Sequence, residues 1–98
     1  MSEWFVARTK THAEERAAWH LRNQDFEAYV PRYRKHIRHA RKTEIVLRPL
    51  FPGYVFMRID VENQRWRAIN GTVGVISLVL FGDGPKPIDA AIIDAIRA

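Results

Sequence analysis

Pro49-Leu50-Phe51-Pro52-Gly53-Tyr54-Val55-Phe56-Met57-Arg58-Ile59-Asp60 begins as a bend and ends as a strand. Pro49 and Pro52 lack the N–H that a ladder needs, which enforces the bend. From Tyr54 onwards Val55, Met57 and Ile59 alternate with Tyr54, Phe56, Arg58 and Asp60, addressing two faces of a sheet. The aliphatic set belongs to a core. The other face starts aromatic and turns charged, so it is only partly covered within the domain. Either a helix, such as the last in the chain, lies over both rings, or Tyr54 and Phe56 form a docking patch edged by Phe51 and Pro52.

Upstream, the aromatic and β-branched run Glu3 to Thr9 reads as a first strand. Thr11 and Glu14 have capping-box spacing, which starts a helix at Thr11 that ends near Gln24 or Asp25. Ala13, Ala17 and Leu21 share one narrow face of it, and His12, Glu15, Arg16, Trp19, Arg22 and Asn23 cover the opposite side. Phe26 to Tyr33 is a second strand, placed at an edge or strand end by Pro31. Dense like charge without turn glycines makes the tip of Arg32 to Arg41 a mobile hairpin loop, with Thr43 to Leu47 returning as a strand. Downstream, Asp60 caps a short helix from Val61 to Asn70, closed by a left-handed Gly71. Val75 to Phe81, apolar at nearly every position, reads as a central strand covered on both faces. After a turn at Gly82-Asp83-Gly84-Pro85, Pro87 begins a last helix with Ile88, Ile92, Ala95 and Ile96 on one face. The order β-α-β-β-β-α-β-α predicts an α+β fold, a mostly antiparallel four-stranded sheet flanked by helices.

The 98 residues suit one domain, and 47% apolar residues allow a modest core. No stretch approaches the roughly 20 apolar residues of a membrane span, and the N-terminus lacks a signal-peptide pattern, so a cytoplasmic protein without membrane association is expected. The absence of cysteine excludes disulfides, thiolate nucleophiles and Cys-ligated zinc. Of the net charge of +5, essentially all resides between Arg32 and Arg48, where seven Lys or Arg face a single acid, Glu44. That footprint fits a segment facing a polyanion, with Arg38, Arg41 and Lys42 available for phosphate contacts, or a solvated hairpin that aids solubility.

His12, His20, His36 and His39 lack ligand spacing, and no Ser-His-Asp or paired-carboxylate arrangement stands out. No metal, no cofactor and no catalysis are expected. Gly82-Asp83-Gly84 lacks the third glycine of a dinucleotide fingerprint and reads as a turn. On the first helix Arg16, His20 and Asn23 fall within an arc of about 60° beside Lys10, either a solvated face or a contact surface. Trp19 on that polar side is either a stacking residue, a partner contact or a ring lying over its own helix.

Pro-Leu-Phe-Pro-Gly-Tyr-Val-Phe, with Trp4, the segment Phe26 to Pro31, Trp66-Arg67-Ala68-Ile69 and Thr72-Val73-Gly74-Val75, resembles the N-terminal domain of the NusG family, including its specialised RfaH branch. The resemblance runs from Trp4 to at least Phe81. It implies a transcription elongation or antitermination domain that binds the clamp helices of RNA polymerase and modulates processivity, pausing and termination. Tyr54, Phe56, Phe51 and Phe81 would belong to the apolar depression used for docking, with Arg8 and Ile96 near it. Arg8 departs from the apolar or aromatic residue common there. For contact with non-template or upstream DNA the resemblance implicates Lys10, His20, Gln24 and Thr72; Asn23 and Val73 replace the arginines of sequence-reading relatives. It further implies a monomer and a single domain over residues 1–98, with ribosome or termination-factor contacts left to a KOW barrel absent from this chain. The alternative is an RRM-like single-stranded RNA-binding module, on the likeness of Gly53-Tyr54-Val55-Phe56-Met57 to an aromatic stacking strand, although Pro52 and Val55 occupy places where that motif wants a basic and a small residue.

Overall fold

A computed structural model describes residues 2–82 and 84–97. Its strands and helices are β1 (Glu3–Thr9), α1 (Glu14–Arg22), β2 (Glu27–Tyr29), β3 (Arg32–His39), β4 (Lys42–Pro49), β5 (Tyr54–Ile59), a 3₁₀ helix (Trp66–Gly71), β6 (Val75–Leu78), β7 (Leu80–Phe81), β8 (Gly84–Pro85) and α2 (Ala90–Arg97). Four of the strands form an antiparallel sheet in the order β2-β5-β1-β6, while β3 pairs with β4 and β7 with β8. The α+β expectation holds, with β1 and β5 at the centre.

The period of two along these central strands builds a core on each side. Phe5, Ala7, Val55, Met57 and Ile59 are buried with Ala17, Ala18 and Leu21 of α1. On the other side Trp4 and Phe56 are buried against Ile93 of α2, with Val6, Tyr29, Ile88 and Ile96 packed around them. Arg97, at the end of α2, lies 4.9 Å from the Trp4 ring and 4.7 Å from that of Tyr29. It also pairs with Glu27 at 3.6 Å, which fastens the helix to β1 and β2.

Several expected boundaries move for identifiable reasons. Helix α1 starts at Glu14, not Thr11, because Lys10 to Ala13 form a turn in which His12 takes a φ of 60°. Glu14 is therefore not a capping-box partner; its buried carboxylate accepts a hydrogen bond from Gly53 N–H at 2.9 Å. The helix ends at Arg22, and Asp25, with φ 68°, closes it by a Schellman pattern in which Phe26 N–H reaches Leu21 C=O at 3.1 Å.

Asp60 behaves as a cap without a helix following. Its carboxylate accepts from Glu62 N–H at 3.2 Å and from the Asn63 amide at 2.8 Å, but an inverse γ-turn at Arg65 (φ −80°, ψ 72°) interrupts the chain. The helix expected over 61–70 is thus one turn followed by the 3₁₀ segment. Positive φ falls on Gly74 (+85°) rather than Gly71. A Cβ at Gly74 would stand 3.3 Å from Ala17 Cβ, so its absence lets the loop lie directly on α1.

The segment read as one buried central strand is an edge strand, β6, followed after Val79 by the separate β7. Ile76, Leu80 and Phe81 are accordingly exposed. In the turn expected at 82–85, Asp83 lies outside the described residues. Ile88 N–H donates to Trp4 C=O at 2.7 Å, which keeps Pro87 and Ile88 extended and delays α2 to Ala90. The buried face rotates with that delay: Ile93 and Ile96 point inwards and Ile92 outwards.

The basic segment is an ordered ribbon rather than a loop with a mobile tip. β3 and β4 pair from Arg32↔Pro49 to His39↔Lys42, and Ala40 (φ 50°) and Arg41 (φ 67°) supply the two positive φ values of a type I′ hairpin turn without glycine. Eight residues of strand span about 26 Å, consistent with overall extents of 53 × 28 × 24 Å.

Candidate functional site

Three surfaces collect the residues singled out in the sequence. The first is the end of the outer sheet face that α2 leaves open. Register places Arg8 beside Tyr54 and Val6 beside Phe56. Phe56 is only 7% exposed beneath α2, whereas Tyr54 is 41% and Phe51 40% exposed. The Phe51 ring meets Phe56 edge to face at 5.6 Å. The last helix therefore covers one of the two rings and not the other. Phe56 supports the patch from below, while Phe51, Tyr54 and Arg8 form its surface. Ile96 is half-buried in the α2 cluster. Phe81 is 63% exposed on β7, with Lys86 Nζ 5.5 Å from its ring. The exposure of Ile76 and Leu80 has no signal in the sequence, because a nearly continuous apolar run carries no mark of where a strand breaks.

The bend that carries this patch is held from the other side. Besides the Glu14 bond, Thr9 N–H donates to Gly53 C=O at 2.8 Å, and Gly53 adopts φ +86°. A hydrogen bond to a buried carboxylate contributes about 1.5–3 kcal/mol. Glu14 thus couples α1 to the position of Phe51 and Tyr54.

The second surface is the outward side of α1. Arg16 and Asn23 are exposed and His20 half-buried, with Lys10 at the start of the preceding turn. Lys10 N–H donates to Gly74 C=O at 2.9 Å, joining this turn to the loop after the 3₁₀ helix. Gln24 Nε2 donates to Thr72 Oγ1 at 2.8 Å, and that hydroxyl in turn donates to Ala68 C=O at 3.1 Å. Thr72 is buried, and its hydroxyl both holds the Gln24 amide and is anchored on Ala68 C=O. Arg22 is likewise engaged, its guanidinium donating to Ala28 C=O at 3.0 Å.

The third is the ribbon, whose Arg38, Arg41 and Lys42 lie exposed at the tip. Alternation puts Arg32, Arg34, His36 and Arg38 of β3 in one row on the same face as Thr43, Ile45, Leu47 and Pro49 of β4. Exposed Ile45 and Leu47 form an aliphatic stripe that charge counting alone did not reveal. Among the described residues no group of three His, Asp or Glu could hold a metal ion. The Asp60 carboxyl is held below its usual value mainly by the Asn63 amide, with Glu62 N–H helping and partial desolvation opposing. The RRM-like alternative loses its footing here, because the aromatic strand's central ring, Phe56, lies under a helix instead of facing a strand of bases.

A four-stranded sheet with a helix on each face, an open aromatic end and a basic arm defines an α+β domain. The NusG family model, described as transcription termination factor nusG, matches residues 2–97. The chain belongs to the NusG family. It is 30% identical over 101 residues to the transcription termination/antitermination protein NusG of Thermus thermophilus, covering 88% of this chain and 55% of that protein. With the NusG protein of Streptomyces coelicolor it shares 31% identity over 96 residues, 88% of this chain and 32% of that one. A solved structure of Thermotoga maritima NusG superposes with a TM-score of 0.71 at 20% identity, over 98% of this chain and 55% of that chain, a likeness of fold. The chain thus spans about half or less of the length of these relatives.

Proposed function

We propose that this domain is the RNA-polymerase-binding part of a transcription elongation and antitermination factor, docking on the polymerase clamp helices and contacting upstream or non-template DNA. Its action would be on processivity, pausing and termination, without catalysis or a cofactor, as a cytoplasmic monomer. The observation that carries the reading is the exposed trio Phe51, Tyr54 and Arg8 at the uncovered end of the outer sheet face. Exposed aromatics beside an arginine are the composition of protein-interface hot spots. The exposed basic residues of α1 and of the ribbon support the nucleic-acid part, as positioning contacts to phosphate. The test is binding of Tyr54→Ala to core RNA polymerase. A loss of about tenfold or more with an intact fold is expected; unchanged affinity would remove Tyr54 from the docking face and sink this assignment.

A further inference from the structure

Trp19 is 59% exposed on a helix whose inner face is well packed. A tryptophan left this open forgoes a large hydrophobic contribution within its own domain. Its one ring neighbour, His20, meets it edge to face at 4.9 Å rather than covering it. At 100° per residue, Glu15, Trp19, the pair Asn23 and Arg16, His20 and Gln24 follow one another around α1. Trp19 therefore stands between the base of the ribbon, where Arg32 pairs with Glu15 at 3.4 Å, and the Gln24–Thr72 hydrogen bond.

The chemistry around the indole is cationic and polar. Arg16 lies three residues before it and Asn23 four after, and the acid in the preceding turn, Glu15, is matched by Arg32. No second large apolar side chain is exposed on α1, so the ring is not the centre of an apolar protein-docking patch. A flat ring with an arginine beside it suits a ligand that brings a π-face and a phosphate together. We infer that the indole of Trp19 is a stacking platform for an unpaired base of single-stranded nucleic acid lying across α1, with Arg16 beside it for the phosphate. This rests on the nucleic-acid reading of α1 proposed above and adds to it a residue and a strand state.

The test measures anisotropy of labelled oligonucleotides of about a dozen nucleotides, as single-stranded DNA, single-stranded RNA and duplex DNA, with the 98-residue protein. Trp19→Ala is expected to weaken single-strand binding roughly tenfold, with Trp19→Phe within about threefold of the parent and duplex binding unmoved. Thermal melting should be unchanged, since the side chain is exposed. The DNA and RNA arms identify which strand is held, and loss in either supports the platform. Equal single-strand affinity of Trp19→Ala and the parent overturns it while leaving nucleic-acid binding by α1 intact. If the parent binds no single strand, the reading of α1 fails as well. Weakened binding to core polymerase with unchanged oligonucleotide affinity overturns the inference in favour of a protein contact.

Discussion

Glu14 and Gly53 are 39 residues apart in sequence, and the carboxylate of one accepts the backbone N–H of the other at 2.9 Å. The bond ties the first turn of α1 to the bend on which Phe51 and Tyr54 stand. Glu14→Ala should cost about 1–3 kcal/mol in urea denaturation, because it leaves the Gly53 donor without its partner. It should also weaken polymerase binding at urea-free conditions where the domain stays folded. Unchanged stability would show that water replaces the carboxylate at no cost.

Tyr54 and Phe56 are separated by one residue and by opposite expectations. Phe56→Ala removes a ring packed against Trp4 and Ile93 and should destabilise by about 3–5 kcal/mol. Tyr54→Ala should change stability by about 1 kcal/mol or less and act on polymerase affinity instead. Paired melting and pull-down measurements separate the two, and a stable Phe56→Ala would contradict its burial.

On the ribbon, replacing Arg38, Arg41 and Lys42 together by Ala should lower the slope of log affinity against log salt by about 2–3 on duplex DNA. Fold stability should not move, since all three side chains are exposed. An unaltered slope would leave the charge with a solubility role.

Thr72→Val deletes a buried hydroxyl that accepts from Gln24 and donates to Ala68. A loss of about 1–3 kcal/mol in stability is expected, with any effect on nucleic-acid binding following from the freed Gln24. If binding fell while stability held, Thr72 would be a direct contact after all.

Asp60 gives a pH signature. Its carboxyl is depressed in the folded state, chiefly by Asn63, so its contribution is fully present above the ordinary carboxylate value and is lost as pH falls through the folded one. Asp60→Asn, which cannot ionise, should lower the melting temperature near neutral pH towards the parent's acid value and so flatten the profile below about pH 4. A profile identical to the parent's would mean that the turn owes nothing to the ionised form.

What could be read from residues alone was whatever repeated with a period. Val55, Met57 and Ile59 declared their face, and the bounds of the strands at Glu3–Thr9 and Tyr54–Ile59 agree with the alternation. What escaped were events decided by partners distant in sequence. Capping-box spacing points Glu14 to a local cap, whereas its partner, Gly53, lies on another element. Ala40 and Arg41 carry no glycine signal, yet the cross-strand register of eight residue pairs holds both at positive φ. The expected stripe of Ile88, Ile92, Ala95 and Ile96 omits Ile93 because the start of α2 depends on Ile88 bonding to Trp4, which rotates the buried face. The open aromatic patch was half legible: the alternation located Tyr54 and Phe56 on one face, but only packing tells which of them α2 covers.

Among the described residues the ribbon forms strand pairs only with itself, its base closed by Leu50 N–H to Pro31 C=O at 2.7 Å. Substitutions beyond that closure are insulated from the two packed cores. Charge, length and the aliphatic row of Ile45 and Leu47 can drift or be redesigned without renegotiating the fold, whereas Gln24 of the α1 face is tied through Thr72 to the 3₁₀ segment. The arm is the part of this domain on which selection, or an engineer, can write new affinities most independently of everything else.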